Sequence, residues 1–319
     1  MVTDTREGSA VSGWSAADVA DQAGRTVLVT GANSGLGLQT ALVLAGRGAT
    51  VLMACRDQQR GRAVVERVRA KSGGADATLI QLDLADLTSV RKAADEVRTI
   101  TGDRLDVLMN NAGVMASPPR LTADGFELQI GTNHLGHAAL TWLLAPALVP
   151  GARVVTVSSL AHRGGGLDVD DLNFERRRYG PVAAYSASKL ANLLFTFELD
   201  RRARGLGRNL FAVAAHPGLT YTELASTTTR MHLPAPFVQV VRWGNKLISQ
   251  SVAAGALPQL YAATAADVRG GEYFGPSSLG QTRGAPGRVA ASAAARNEHT
   301  AGLLWERTAE LTGVTPDPA

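Results

Sequence analysis

The sequence predicts an α/β fold: a doubly wound parallel sheet of about seven strands with helices on both faces. Short β-rich apolar runs alternate with longer helical patterns along most of the 319 residues, and this alternation requires a parallel sheet covered by helices. The first apolar run leads directly into a glycine-rich turn and a helical pattern, an order typical of this fold class. No repeat of fixed period and no second apolar core is visible, so we predict a single domain over residues 1–319.

The composition is that of an ordinary globular protein. Hydrophobic residues make up 45% of the chain and charged residues 19%, enough apolar material for a sizeable core. The net charge of +4 is spread out, and the short arginine groups at 176–178 and 201–202 lack interleaved aromatics. Such groups are typical of solvated faces, so we predict no nucleic-acid partner. Cys55 is the only cysteine, which excludes an intrachain disulfide and favours a cytoplasmic location.

The first residues carry no targeting pattern. Residues 1–13 mix acids, serine and glycine without an apolar run, and we interpret them as a flexible leader. A short helix is predicted over 14–22, with Ser15 as its N-cap. No run of about 20 apolar residues is present to span a bilayer, so we expect a soluble protein without a membrane anchor.

The first strand and the turn after it predict a phosphate-binding unit. Residues 25–30 form a β-rich run, and Gly31, Gly35 and Gly37 follow before a helical pattern. A tight turn, a close approach of the backbone to a pyrophosphate and helix–sheet packing each require a position without a Cβ. The intervening residues that we assign to the same cofactor site are Asn33, Ser34 and Leu36. The alternative is a glycine-rich turn without a ligand.

The end of the second strand, residues 50–55, bears on the choice of cofactor. In NAD-binding folds an acid at this position hydrogen-bonds the ribose 2′-hydroxyl, but here Cys55 is followed by Arg56. A guanidinium can bind a 2′-phosphate through paired hydrogen bonds, which a carboxylate would repel. We therefore predict NADP(H) in preference to NAD(H). The alternative is that Arg56 is a surface residue next to Asp57.

The alternation continues to the end of the chain. Strands are predicted at 77–82, 105–109, 153–157 and 210–214, with a last short strand near Tyr273. Helices are predicted at 62–71, 88–100, 126–148, around Tyr185, between 238 and 266, and at 298–311. Residues 280–295, rich in Gly, Ala and Arg, are predicted to be a loop or extended tail. We divide the domain into a leader and short helix at 1–22, a dinucleotide-binding and catalytic core at 23–275, and a carboxy-terminal extension at 276–319.

Tyr185 and Lys189 are the strongest candidates for catalysis. They are four residues apart in a predicted helix, so both lie on one face. The chain has only four lysines, which makes one beside a tyrosine less likely to be background. A compact ammonium can lower the pKa of a neighbouring phenol. We interpret the pair as a tyrosine acid/base, and the alternative is a helix with a buried Tyr and a solvated Lys.

Taken together, several motifs resemble those of the short-chain dehydrogenase/reductase family, in order and at compatible spacing over residues 25–275. They are Thr30-Gly31-x-x-x-Gly35-x-Gly37, Asn110-Asn111-Ala112-Gly113, Ser158-Ser159, Tyr185-x-x-x-Lys189 and Pro217-Gly218. Other segments are similar to retinol-dehydrogenase-like members of the family. These are Ala54-Cys55-Arg56-Asp57, Thr132-Asn133-His134-Leu135-Gly136-His137, Ser158-Ser159-Leu160-Ala161-His162 and Ser188-Lys189-Leu190-Ala191-Asn192. The resemblance implies a Rossmann-type fold and NADP(H).

The resemblance also implies roles for individual residues in hydride transfer between a nicotinamide and a carbonyl or alcohol carbon. Tyr185 would be the general acid/base, Lys189 would lower its pKa, and Ser159 would hydrogen-bond the substrate oxygen. Asn133 would hold a water that relays protons from Lys189. The implied cofactor contacts are Asp83 and Leu84 near the adenine, Asn110 at the adenine ribose or the sheet backbone, and Ala112, Gly113, Tyr185, Lys189, Pro217, Gly218 and Thr222. Relatives often pair through the helices near 126–148 and 185–204, which implies a homodimer or homotetramer.

The substrate is the least determined part of the prediction. Its pocket should form from the loops at 115–121, 160–179 and 219–243, whose apolar residues favour a hydrophobic carbonyl or alcohol. Those residues could equally pack only against one another. Relatives of the retinol-dehydrogenase type often carry an amino-terminal membrane anchor, which we do not expect in this chain. The resemblance therefore implies the type of reaction but does not determine whether the substrate is a membrane retinoid.

Three other functions are less consistent with the sequence. A carbon–carbon double-bond reductase like protochlorophyllide reductase would use further cysteines, and a non-catalytic NADP sensor would need only the cofactor half. A metal site is disfavoured because His134 and His137 have no carboxylate or cysteine cluster beside them. His162 and His216 are predicted to be structural.

Overall fold

The structure, a computed structural model, describes residues 13–74, 76–219 and 250–317. Within these residues an eight-stranded sheet has the order β3-β2-β1-β4-β5-β6-β7-β8. Strands β1 to β7 are parallel, and β8 runs antiparallel to β7. The strands are β1 Thr26–Thr30, β2 Thr50–Cys55, β3 Ala77–Gln81, β4 Leu105–Asn110, β5 Leu148–Val157, β6 Leu210–Ala215, β7 Tyr273–Ser278 and β8 Arg283–Arg288. The predicted doubly wound α/β fold is confirmed, with one strand more than expected.

Helices cover both faces of the sheet. The described helices are α1 Gly35–Gly46, α2 Gln58–Lys71, α3 Leu87–Thr101, α4 Leu128–Ile130, α5 Gly136–Leu144, α6 Pro181–Gly205, α7 Val252–Thr264 and α8 Glu298–Thr312. Successive strand residues point to opposite faces and so feed two different cores. Leu28, Leu52 and Leu108 join the core under α3, α5 and α6, whereas Val27, Val51 and Val107 join the core under α1 and α7.

Side chains at the helix starts explain several boundaries. Asp57 accepts a hydrogen bond from the Arg60 N–H, so α2 begins at Gln58, four residues before the predicted start. Asp86 caps α3 in the same way. Ser15 caps a short 3-10 helix at Ala16–Asp18, which confirms the predicted N-cap, but this helix has three residues where one over 14–22 was expected.

The helix predicted over 126–148 is shorter and is interrupted. A π-helical turn at Gly131–Leu135 separates α4 from α5, and α5 is followed by a 3-10 turn at Ala145–Ala147. The chain then enters β5 already at Leu148. Pro146 in that 3-10 turn lacks the N–H that would continue the helix, which accounts for its early end.

The segment predicted to be a loop or tail at 280–295 contains the eighth strand. β7 and β8 pair as an antiparallel hairpin, with Phe274 opposite Arg288 and Gly275 opposite Gly287. The composition Arg-Gly-Ala-Pro-Gly-Arg hides the strand because glycine and proline are rare in strand interiors. An edge strand tolerates proline, since one side of its backbone pairs with no neighbour.

The last helix packs against the faces of α5 and α6. The Trp305 ring on α8 stacks on Phe195 of α6, with ring centroids 5.4 Å apart. It also meets Trp142 of α5 edge-on at 4.9 Å. The extension after residue 276 therefore contributes both an edge strand and a core helix. Within the described ranges, no helix combines the length and the apolar character needed to cross a membrane.

Candidate active site

The candidate site lies where the parallel strands end. The carboxyl ends of β1, β4, β5 and β6 meet at one edge, and the strand order reverses between β1 and β4. In open parallel sheets this reversal leaves a crevice in which ligands bind. The predicted site residues follow these strands directly, so the topology brings most of them to this edge.

The glycine turn after β1 is shaped by contacts that a side chain would disrupt. Gly31 has φ +65°, and a Cβ there would lie 3.0 Å from the Ala112 side chain. A Cβ at Gly37 would lie 2.4 Å from the Gly31 carbonyl oxygen and 2.6 Å from the Asn111 amide. Gly35 has φ +53° and open space where its Cβ would be. The turn therefore packs closely to β4 on one side and stays open on the other.

The first turn of α1 is suited to an anion. Its N-cap residue, Ser34, makes no capping hydrogen bond with its side chain, whereas α2, α3 and α8 are each capped by an acid or amide side chain. Asn33 and Leu36 are partly exposed beside it. The free N–H groups of an uncapped helix start attract phosphate. These residues fit the pyrophosphate of a dinucleotide.

Arg56 is exposed at the end of β2. Its backbone oxygen accepts a hydrogen bond from the Gln81 amide at 3.0 Å, and among the described residues its side chain makes no ion pair or hydrogen bond. The neighbouring Asp57 carboxylate is occupied in capping α2. The guanidinium is thus available to a ligand, and the nearby acid has a structural partner.

The adenine-side residues have different surroundings. Asp83 is partly exposed, with one carboxylate oxygen accepting from the Ala85 N–H at 3.0 Å, and Leu84 is buried. Asn110 is 1% exposed, and its amide donates to the Thr141 hydroxyl on α5 at 2.9 Å. Its side chain therefore contacts a helix of the core through the amide nitrogen, whereas its side-chain oxygen is buried without a hydrogen-bond partner among the described residues.

Thr30 joins the glycine turn to the segment after β4. Its hydroxyl oxygen accepts from the Asn111 and Ala112 N–H groups, both at 2.9 Å, and lies 2.9 Å from Nε2 of His137. Nδ1 of His137 lies 3.0 Å from the Asn133 carbonyl oxygen and must donate to it. Burial lowers the pKa of His137 to about 4, so the ring is neutral and Nε2 accepts.

Tyr185, Lys189 and Ser159 meet at the end of β5. Lys189 is 3% exposed; its Nζ donates to the Val157 carbonyl at 3.0 Å and lies 5.8 Å from the centre of the Tyr185 ring. Tyr185 is partly exposed. The Ser159 side chain lies close enough to the Tyr185 phenol to act on its pKa. A Cβ at Gly113 would lie 3.5 Å from Nζ of Lys189, which places the segment after β4 against this group.

Burial sets the direction of both pKa shifts in the pair. It raises the pKa of Tyr185, and the Ser159 side chain acts to lower it. Burial also lowers the pKa of Lys189 to about 8, and its ammonium donates to the Val157 carbonyl. At neutral pH the phenol is therefore protonated and able to donate. The lowering of the tyrosine pKa by Lys189 and a bound nicotinamide stays a prediction.

Asn133 is fully buried in the π-helical turn, and all its side-chain atoms are engaged. Its oxygen accepts from the Val114 N–H at 2.8 Å, and its amide donates to the Val114 carbonyl and the Ser188 hydroxyl, both at 2.9 Å. Its backbone carbonyl oxygen accepts from Nδ1 of His137. The water relay predicted for Asn133 stays a prediction. Ser188 of α6 accepts from the Asn133 amide and so holds Asn133 to that helix.

The segments after β5 and β6 are fixed by two histidines. Nδ1 of His162 donates to the Ser159 carbonyl at 2.7 Å. His216 accepts from the Gly218 N–H at 3.2 Å, and Gly218 has φ +65° beside Pro217. Burial lowers the pKa of both rings, that of His216 to about 3. Thr222 lies outside the described residues, as does nearly all of the predicted wall at 219–243.

The remaining predicted walls lie around the same crevice. Segment 115–121 follows Gly113, and segment 160–179 leads from Ser159 to α6. His134 does not face the crevice: its Nε2 lies 2.9 Å from the Thr308 hydroxyl of α8. Sequence reasoning missed a polar cluster of Glu127, Gln129 and Tyr179 that joins the two walls, because Tyr179 lies 50 residues from Gln129 in the chain.

Comparison with known families gives one clear match. The family model described as short chain dehydrogenase matches residues 25–232. Human retinol dehydrogenase 13 is 41% identical over 312 residues, covering 95% of this chain and 89% of that protein. Human retinol dehydrogenase 12 is 39% identical over 297 residues, covering 91% of this chain and 87% of that protein.

Solved structures agree with this match. A crystal structure of an uncharacterized protein from Mycobacterium paratuberculosis has a TM-score of 0.79 and 46% identity, covering 95% of this chain and 98% of that one. A short chain dehydrogenase from Burkholderia cenocepacia J2315, solved in complex with NADP, has a TM-score of 0.58 and 26% identity. That comparison covers 76% of this chain and 91% of the other.

Proposed function

We propose, for a chain that belongs to the short-chain dehydrogenase family, an NADP(H)-dependent oxidoreductase that acts on a hydrophobic carbonyl or alcohol. Family membership makes the protein an oxidoreductase of alcohol and carbonyl groups. The observation that carries the finer proposal is the meeting of Ser159, Tyr185 and Lys189 in a crevice beside a glycine turn suited to a dinucleotide. A sensor without catalysis would need only the turn.

Residues along the strand ends would hold the cofactor. The open side of the glycine turn and the free N–H groups at the start of α1 would take the pyrophosphate. Arg56 would pair with the 2′-phosphate. Asp83 would face the adenine, and Gly113 and Pro217 would lie on the nicotinamide side. The bound nicotinamide supplies or accepts the hydride.

The protein's own residues would manage the proton. Tyr185, protonated at neutral pH because burial raises its pKa, would donate to the oxygen of a carbonyl being reduced. The Ser159 hydroxyl would hydrogen-bond the same oxygen as negative charge develops there. Lys189 would keep a positive charge near the phenol at neutral pH and would lose it as the pH rises past its pKa of about 8. These features favour reduction at neutral pH.

The substrate class is proposed from the relatives and from the predicted walls. Several relatives are named retinol dehydrogenases, which suggests an apolar alcohol or aldehyde. The carbon–carbon double-bond reductase is the weaker alternative, because Cys55 is the single cysteine of the chain and lies buried at the end of β2.

The proposal is tested with aldehydes, ketones, retinoids and steroids, following the loss of NADPH absorbance. We expect turnover of apolar carbonyls by the parent and a loss of at least about 100-fold in Tyr185→Phe, the usual contribution of general acid catalysis. NADPH binding, measured by fluorescence titration, should be retained. Unchanged turnover in Tyr185→Phe on any accepted carbonyl would rule out its role as the acid.

A further inference from the structure

The loop after β4 is held by two amide side chains of one helical segment. Asn133 and Gln129 are four residues apart and lie on the same face. Asn133 pairs with both backbone groups of Val114, and the side-chain oxygen of Gln129 accepts from the Ala116 N–H at 2.7 Å. The side-chain amides of Asn133 and Gln129 therefore hydrogen-bond Val114 and Ala116, and Met115 lies between these two loop residues.

Tyr179 holds the next residue of the loop, Ser117. Its hydroxyl donates to the Ser117 carbonyl at 2.9 Å and accepts from the Gln129 amide at 3.0 Å. The same amide donates to the carbonyl of Pro181, the first residue of α6, also at 3.0 Å. One glutamine and one tyrosine thus connect the loop after β4 to the helix that carries Tyr185.

The buried carboxylate of Glu127 supports this connection between the loop after β4 and α6. Glu127 is 2% exposed, and its two oxygens accept from the Gln129 and Ile130 N–H groups at 2.9 and 2.8 Å. One of these oxygens also lies 3.2 Å from the Tyr179 hydroxyl. A buried network whose polar atoms all have hydrogen-bond partners is rigid. Glu127 therefore holds Gln129 and Tyr179 in place.

The loop needs this support. Ala116 has φ +47°, a left-handed conformation that is costly for a residue with a Cβ and persists only where the surroundings impose it. Ala116 is also buried at 5% exposure, while Met115 and Ser117 are partly exposed. The strained residue is therefore turned inward, and its two neighbours keep part of their surface exposed.

We propose that Glu127, Gln129 and Tyr179 form a positioning network that fixes Met115 to Ser117 as one wall of the substrate site. The inference rests on the proposed function and deepens it: the network determines how well a bulky carbonyl fits and leaves cofactor binding unaffected. Phe174 extends the wall, since its ring meets Tyr179 edge-on at 5.6 Å. A small aldehyde that does not reach the wall would be insensitive to it.

The test compares Tyr179→Phe with Tyr261→Phe in the full-length chain. Tyr179→Phe keeps the ring and removes the hydroxyl that holds Ser117. Tyr261 is a matched control, because its hydroxyl donates to Asp267 at 2.7 Å and its ring lies in the core on the other face of the sheet. Two measurements are made: hydrogen–deuterium exchange of amides 114–117, and KM for benzaldehyde and all-trans-retinal with the NADPH dissociation constant.

In Tyr179→Phe we expect exchange at 114–117 to rise by about fivefold or more, the size of one lost hydrogen bond. KM for retinal should rise similarly, with the KM for benzaldehyde and the NADPH dissociation constant unchanged. Tyr261→Phe should change none of these values. Unchanged exchange, or equal changes for both aldehydes and the cofactor, would overturn the network's role. If the parent reduces no carbonyl, the proposed function fails, and exchange alone then decides whether the network holds the loop.

Discussion

Lys189 illustrates how surroundings determine the properties of a single residue. Its ammonium is buried against the Val157 carbonyl, and Asn192 donates to the same oxygen at 3.1 Å. Burial lowers the pKa of Lys189 to about 8, so the charge is retained at neutral pH and becomes titratable just above it. An arginine would stay charged throughout this range. This is a reason for lysine at this position in a chain that otherwise favours arginine.

Arg56 offers the clearest prediction for a single residue. Replacing it by aspartate removes the cation and places a carboxylate where the 2′-phosphate would lie. We expect Arg56→Asp to weaken NADPH binding by roughly 10- to 100-fold, the range for a lost charge-assisted hydrogen bond, with NADH affinity changed little. Fluorescence titration with both cofactors measures this.

The matched control for the cofactor prediction is Arg62→Asp, which makes the same charge change on α2. Arg62 hydrogen-bonds Gln58 within its own helix and should have little effect on either cofactor. A parent protein that binds NADH as tightly as NADPH would show that Arg56 does not select the 2′-phosphate.

Among the structural elements, α1 shows how close packing and cofactor binding depend on one another. Gly37 permits the helix to approach the Gly31 carbonyl and Asn111, whereas Gly46 at the other end of α1 has nothing within 4 Å of its Cβ position. A side chain is therefore excluded at Gly37 and tolerated at Gly46, at the two ends of one helix. Only Gly37 contacts the turn that would bind the cofactor.

A pair of alanine substitutions tests this difference. Gly37→Ala should lower the free energy of unfolding by about 1–3 kcal/mol, the usual cost of overpacking, and should weaken NADPH binding because the turn must shift. Gly46→Ala should raise stability by up to about 1 kcal/mol, as alanine favours helix. Urea unfolding and NADPH titration measure both. Equal stability of the two variants would contradict the packing described at Gly37.

The elements themselves were largely predictable, and the exceptions have physical causes. Strands β1 to β6 are visible as short apolar runs, since both faces of a parallel sheet are buried, and β7 starts at Tyr273, near which the last short strand is predicted. The π-helical turn at Gly131–Leu135 and strand β8 were not predicted. Neither has a local signal: the first continues a helical pattern, and the second is a Gly- and Pro-containing edge strand held by pairing with β7.

At the scale of the whole molecule, four histidines are buried in the described structure without an ion pair to a carboxylate. His134, His137, His162 and His216 are each at most 2% exposed, and burial lowers the pKa of each. Burial lowers the pKa of His134 and His216 to about 3 and that of His137 to about 4. Unfolding returns them to an ordinary pKa near 6.5. Between about pH 6.5 and pH 4 the unfolded chain therefore binds more protons, and stability falls as the pH falls.

We expect the free energy of unfolding to decrease as the pH is lowered from 7 to 5, with each histidine contributing roughly 1.4 kcal/mol per pH unit below about pH 6. Urea unfolding at pH 7, 6 and 5 measures the slope. His134→Gln should reduce it, and His299→Gln, at an exposed position on α8, should leave it unchanged. A slope that His134→Gln does not alter would mean that this ring is not buried as a neutral group.

The sequence alone determined the features whose physics is local. The order of strands and helices, the glycine turn, and the Tyr185–Lys189 pair each depend on residues within a few positions of one another, so pattern and spacing predict them. The family comparison supports the same fold and chemistry.

Tertiary structure decided which partners the polar side chains take. Asn110 bonds a core helix, Asn133 is shared between the loop after β4 and Ser188 of α6, and Tyr179 reaches Ser117, 62 residues away in the chain. A hydrogen bond between distant residues leaves no periodicity in the sequence. Such partners appear only once the sheet has brought its loops to one edge, because a buried polar group must then bond whatever lies beside it.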